Sequence, residues 1–132
     1  MKLIADANIL FSLVKPGSVT EELVSEFNLQ LFSVDYVLFE LEVHEKILLK
    51  KSGLQNFAQV TELLQKRVTF VRVSDLKREL AEVQEIVSDE NDLVYFALAR
   101  KLNYIIWSND KHFKEQSVFD VVTTKELIEI LY

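Results

Sequence analysis

The apolar positions of the chain fall into two periods, and the switches between them mark out strands and helices. Lys2 to Ala5 is a short apolar run of the kind a buried strand carries. Asn8 to Val14 reads as a helix stopped by Lys15-Pro16-Gly17. Ser18 and Glu21 have capping-box spacing and open a second helix that runs to about Asn28. Leu29 to Ser33 fits a second strand. Asp35 is placed to cap a long helix to about Lys51, ended by Ser52-Gly53. From Leu54 to Arg67 the residues Leu54, Phe57, Ala58, Val60, Leu63 and Leu64 recur at helical spacing. Val68 to Val73 is β-branched and predicts a strand. Asp75 to Val87 puts Leu76, Leu80, Val83 and Val87 on one helical face. A polar break, Ser88 to Asn91, precedes an apolar helix from Asp92 to Leu102. Tyr104 to Trp107 and Phe119 to Val122 are the last strands. Thr123 with Glu126 is a capping box into the final helix.

Strands separated by helices are βαβ units, and these build a mostly parallel sheet covered on both faces. The expected fold is therefore α/β: a three-layer α/β/α sandwich around a four- or five-stranded parallel sheet. A length of 132 residues fits one domain, residues 1–132, and nearly half the residues are apolar, enough for a real core. Only two glycines and one proline interrupt it, so loops should be short. No cysteine is present, which excludes disulfides, thiolate metal ligation and a Cys nucleophile. The opening MKLIADANIL is broken at Asp6, unlike a signal peptide, and no run is long and uncharged enough to span a membrane. The chain reads as soluble and cytoplasmic. A formal net charge of −6 argues against binding nucleic acid by a basic surface alone. It leaves room for an acidic site neutralised by cations.

In open α/β sheets, ligands bind beyond the carboxyl ends of the strands. Asp6 directly follows the first strand, and Asp110 closely follows the strand Tyr104–Trp107. Asp89 and Asp92 flank the start of the helix leading into that strand. Each has a plain structural explanation as well. Asp89 can cap a helix and suit its dipole, Asp92 fits a pure cap less well because the apolar helix face follows it at once, and Asp110 in Ser108-Asn109-Asp110-Lys111 can be a turn residue. Asp6 is harder to explain that way, because it interrupts the apolar stretch LIADANILFSLV. A carboxylate there must be paired, hydrogen-bonded or on a metal. Crowded carboxylates raise each other's pKa or require a cation. Oxygen donors select Mg²⁺ or Mn²⁺. Such ions, sometimes in pairs roughly 3.5–4 Å apart, activate water and offset charge on a phosphate. The pattern points to phosphoryl-transfer chemistry.

Two stretches together resemble the PIN-domain family. LIADANILFSLV looks like the family's strand followed by Asp-x-Asn and a helix. DENDLVYFALARKLNYIIWSNDKHF is similar to its second signature: Asp92 opening a helix with Ala97 and Ala99 on the packed face, a strand, the Ser108-x-Asp110 turn, then Lys111 and Phe113. The resemblance covers essentially the whole chain and implies a metal-dependent endoribonuclease. By resemblance, Asp6, Glu40, Asp92 and Asp110 hold Mg²⁺ or Mn²⁺ and carry catalysis. Glu40 is the best match to the family's acidic residue on a helix in the first half. Glu42 lies about 200° around the helix from it, and Glu42 and Glu45 read as a solvated face. Asp89, with Asp92, matches a subgroup acidic at both positions and is a further metal ligand. Asn8 would order the Asp6 loop or the water on the metal, Ser108 would hydrogen-bond a site carboxylate, and Lys111, with His112, would approach substrate phosphate. Lys46, Lys50 and Lys51 could guide RNA, but three lysines on a helix are usually a solvated face. His44 reads as structural.

Many PIN proteins of this size resemble the toxin half of VapC-type toxin–antitoxin pairs, often homodimeric and inhibited by a small antitoxin. RNA, an antitoxin and a second copy are thus the implied partners. Two alternatives stand beside this reading. One is a catalytically silent PIN fold used as a binding module. The other is a receiver-like Mg²⁺-binding signalling domain, although Asp6 stands alone after the first strand where a receiver carries two adjacent acids.

Overall fold

The computed structural model describes residues 1–132. Five parallel strands form one sheet: β1 (Lys2–Ala5), β2 (Gln30–Val34), β3 (Val68–Val71), β4 (Ile105–Trp107) and β5 (Val121–Val122), in the order β3-β2-β1-β4-β5. Eight α-helices flank the sheet: α1 (Ala7–Leu13), α2 (Val19–Glu26), α3 (Val37–Val43), α4 (Glu45–Ser52), α5 (Phe57–Arg67), α6 (Lys77–Val83), α7 (Glu90–Leu102) and α8 (Thr124–Leu131). The chain is an α/β/α sandwich, as the alternating periods predict. The strand order reverses at β1, which pairs with both β2 and β4. That is the switch point at which open sheets leave a crevice at their carboxyl ends. The order also differs from the 2-1-3-4-5 of receiver-type domains, which removes the receiver alternative.

Three of the four residues of β1 are buried, as expected for a central strand with helices on both faces. One cluster of 29 buried apolar residues forms the core, with Trp107 and Phe96 its largest fully buried members. α7 supplies a run from Tyr95 to Ala99 to this core and packs against β1, β2 and β4. With so few glycines, two asparagines take left-handed turns: Asn28 (φ 49°) before β2 and Asn103 (φ 59°) before β4. Asn tolerates this conformation because its short side chain can hydrogen-bond locally.

Four local expectations change. The long helix predicted from Asp35 to Lys51 is two helices, α3 and α4, broken at His44 (φ −107°, ψ 27°). Asp35 caps neither of them; its carboxylate accepts the Val73 N–H at 3.1 Å, fastening the end of β3. The helix predicted over Asp75–Val87 splits into a 3₁₀ turn, Val73–Leu76, and α6. Ser18 does cap α2, accepting the Glu21 N–H, but Glu21 returns its carboxylate to the Gly17 N–H, so the box is not reciprocal there. At Thr123 and Glu126 the reciprocal box is complete. No helix is long and apolar enough to cross a membrane.

Candidate active site

Ala5 at the end of β1 and Trp107 at the end of β4 are register partners in adjacent parallel strands. The next residue on each strand, Asp6 and Ser108, therefore emerge side by side, both buried. Ser108 Oγ donates to Asp6 Oδ2 at 2.5 Å, and the Ile9 N–H donates to Asp6 Oδ1 at 3.0 Å. Asp6 is thus the N-cap of α1, but that role engages only one of its two oxygens. Ser108 Oγ also accepts the Asp110 N–H at 3.1 Å, which bends the chain and sets Asp110 beside Asp6. Asp110 in turn accepts the His112 N–H at 2.9 Å and opens a 3₁₀ turn, Lys111–Glu115. The Ser-x-Asp turn is tied from outside as well. The Asn109 side chain both donates to Thr124 Oγ1 and accepts the Thr124 N–H, and Trp107 Nε1–H reaches the same hydroxyl.

Glu40 comes from the first turn of α3 and Asp92 from the first turn of α7. Both line one cavity of about 220 Å³ together with Asp6 and Asp110. Asn8 and Asn91 add polar groups to its wall, and Ala7, Phe11, Leu41, His44, Tyr95 and Phe113 form the rest. The carboxylates feel one another. Burial, then the charges of Asp89, Asp110 and Asp6, push Asp92 up to about 6. Burial first and Asp6 second raise Glu40. Burial also raises Asp6, outweighing the Ser108 and Ile9 hydrogen bonds that favour its charge, and Asp110 adds to the rise.

The other residues singled out in the sequence lie around this cavity. Asp89 caps α7, accepting the Asn91 N–H at 2.9 Å, and lines a second cavity of about 490 Å³ that meets the first at Asp92. His112 lies in that second cavity too, paired with Glu115 at 2.8 Å, and this carboxylate raises the imidazole pKa. Lys111 is exposed and lines neither cavity. Of the α4 lysines, Lys46 and Lys50 face solvent, while Lys51 Nζ sits 4.4 Å over the Phe11 ring at the rim. His44, read as structural, lines the cavity and meets Phe11 edge to face. Phe11 and Tyr95 carry no signal in the sequence, since both sit at positions where helical periodicity asks only for core.

The family model of the PIN domain matches residues 4–130. This chain belongs to the PIN-domain family. Among solved structures it is similar to a chain in the VapBC2 complex of Rickettsia felis bound to a DNA fragment from their promoter. That match has a TM-score of 0.69 and 15% identity, covering 93% of this chain and 98% of that one. It is also similar to VapC20 of Mycobacterium tuberculosis, a Sarcin-Ricin loop cleaving toxin, with a TM-score of 0.58 and 17% identity, covering 87% of this chain and 96% of that one. At such identities the likeness is one of fold. No curated protein matches the chain.

The PIN cavity suits a divalent ion in its chemistry: its lining brings four carboxylates, one imidazole (His44) and one phenol (Tyr95), with no sulfur among them. In this conformation no three acidic or histidine side chains stand close enough to share one ion. Mg²⁺ does not demand that, because it keeps several waters and takes one or two carboxylates directly. Mutual repulsion adds to the effect of burial in raising these carboxylates, and a cation would relieve that repulsion.

The Ser108 hydroxyl is fully buried and serves Asp6 and Asp110 at once. Ser108→Ala is expected to lower stability by about 1–3 kcal/mol, the range for stranding buried hydrogen-bond partners. Thermal or urea denaturation checks this. A loss within about 0.5 kcal/mol, as for a neutral surface change, would show that the hydroxyl does not hold the turn.

Proposed function

We propose that residues 1–132 form one PIN domain acting as a divalent-metal-dependent endoribonuclease that hydrolyses RNA phosphodiesters with Mg²⁺ or Mn²⁺. The observation that carries this is the convergence of Asp6, Glu40, Asp92 and Asp110, from four separate parts of the chain, on one cavity at the switch point of the sheet. RNA as substrate is supported by family membership and by the RNA-cleaving toxin among the similar folds.

Asp6 is the fixed member of the set, oriented by Ser108 and Ile9. Asp110 is held beside it by the same serine, and Glu40 and Asp92 enter from helix starts on the other side. The bound ion would supply charge to offset the phosphate and an acid to activate water. Asn8 lies at the mouth and can hydrogen-bond substrate or water. Asp89, in the neighbouring cavity, repels the charge of Asp92, and can bind a further ion there. Lys51 on Phe11, and Lys111 beyond the turn, supply positive charge for the phosphates of an approaching strand. Local cations of this kind let a chain of net charge −6 meet RNA.

Toxin activity held in check by a small antitoxin, in the cytoplasm, belongs to the same reading. Its support is the VapBC complex among the similar folds and an apolar stripe of Tyr36, Phe39, Val43 and Ile47, each more than half exposed, along α3 and α4. Exposed apolar patches of this sort mark protein contacts. A homodimer is part of the proposal and is checked by sedimentation.

The test is a cleavage assay on single-stranded RNA. The purified protein is expected to cut with Mn²⁺ or Mg²⁺, to stop when chelator is added, and to resume when the ion is restored. Cleavage that persists in chelator would contradict the proposal.

A further inference from the structure

α7 buries Tyr95, Phe96, Ala97, Leu98 and Ala99 in succession, and a phenylalanine would serve the core as well at the first of these positions. Tyr95 instead brings a phenolic oxygen into the acidic cavity. The side chain is 3% exposed, and its hydroxyl is the one buried side-chain polar atom in the protein that closes no hydrogen bond. An unpaired buried hydroxyl is destabilising, and in native proteins such groups are few and usually tied to a ligand or to function. Two polar groups stand within reach of it: the Glu40 carboxylate and the Ala7 amide at the start of α1. A phenol can donate to the first and accept from the second. Tyr95 also lies one helical turn after Asp92, so both side chains face the same cavity. Its ring is braced by Phe113, 6.1 Å away, leaving only the oxygen to serve the polar side.

We propose that Tyr95 is the positioning residue for Glu40: its hydroxyl donates to the Glu40 carboxylate as that side chain turns toward a divalent cation beside Asp6, and holds it in the cavity. The inference rests on the reading of this cavity as a cation site. It explains why the hydroxyl is unpaired here, since Glu40 is half-exposed and has no other hydrogen bond to fix its direction. Partners that orient a metal's carboxylate ligands commonly change affinity by about 10- to 100-fold when removed.

The experiment is calorimetric titration of Mn²⁺ into the parent, Tyr95→Phe, Glu40→Gln and the double variant, with melting of each metal-free protein alongside. Tyr95→Phe is expected to weaken Mn²⁺ binding about tenfold, and to add nothing in the Glu40→Gln background. Metal-free Tyr95→Phe should melt no lower than the parent, because it removes a group that has no partner. Unchanged affinity in Tyr95→Phe, or losses that simply multiply in the double variant, would overturn the inference while leaving the cation site standing. A lower melting temperature for metal-free Tyr95→Phe would also overturn it, by revealing a partner already in place. A parent that binds no Mn²⁺ would sink the cation site itself and this inference with it.

Discussion

Asp92→Asn is expected to raise the melting temperature of the metal-free protein near neutral pH by about 3–5 °C while removing its activity. The folded protein holds Asp92 at about 6, above its ordinary 3.8, through burial and the charges of Asp89, Asp110 and Asp6. A carboxyl group with a raised folded pKa binds its proton more tightly in the folded state. Its stabilising effect is complete below the unfolded value and is lost as pH climbs through the folded one. Between about pH 4 and pH 7 the parent therefore loses stability that the neutral Asn variant keeps. Asp92 is partly exposed, so solvent screening trims the gain to roughly 1 kcal/mol. Glu40 and Asp6 are shifted the same way and add to the slope. Melting curves of both proteins from about pH 4 to pH 8 should coincide at the acid end, separate progressively between about pH 4 and pH 6, and keep a constant gap above about pH 7. Curves that stay parallel would show that Asp92 is not under this electrostatic load. Saturating Mn²⁺ should raise the parent's melting temperature far more than the variant's.

The largest loss of stability is expected from Trp107→Ala, about 3–5 kcal/mol. Trp107 is fully buried, lies on a strand of three residues, and donates through Nε1 to Thr124 Oγ1 at 3.0 Å. Its removal leaves a large cavity in the core beside β4 and loosens the Asn109–Thr124 clasp on the Ser-x-Asp turn. A loss of that size is a large share of the stability of an ordinary domain. Urea denaturation checks it, and a loss below about 1 kcal/mol would mean the site turn is held by other contacts.

The parts of the site that rest on short-range order were legible in the chain. Asp6 after a buried strand and the Ser108-x-Asp110 turn are local patterns that stand where the sequence puts them, whereas α7 starts at Glu90 with Asp89 as its cap, so Asp92 lies within the first turn and does not open the helix. Five alternations of strand and helix made the sandwich legible too. What was not legible depends on pairing between distant segments. Strand order is not written in periodicity, so the reversal at β1 emerged only in three dimensions. Asp35 has the form of a cap, yet its partner is the amide of Val73, 38 residues away. Leu41 and Leu48 stay in helical phase across His44-Glu45-Lys46, so the spacing did not mark the break between α3 and α4. Glu40 needed the family resemblance, because three glutamates share that stretch and only packing decides which faces inward. Tyr95 was hidden for the opposite reason: it is a core residue by every sequence measure, and only its hydroxyl is not.

The most direct measurement is Mn²⁺-dependent cleavage of single-stranded RNA by the parent, Asp6→Asn and Asp92→Asn, purified in parallel and shown to be folded. Both variants should cut roughly a hundredfold more slowly or worse, since each removes charge from the reacting centre. Variants that cut as fast as the parent would contradict the assignment of this cavity as the active site.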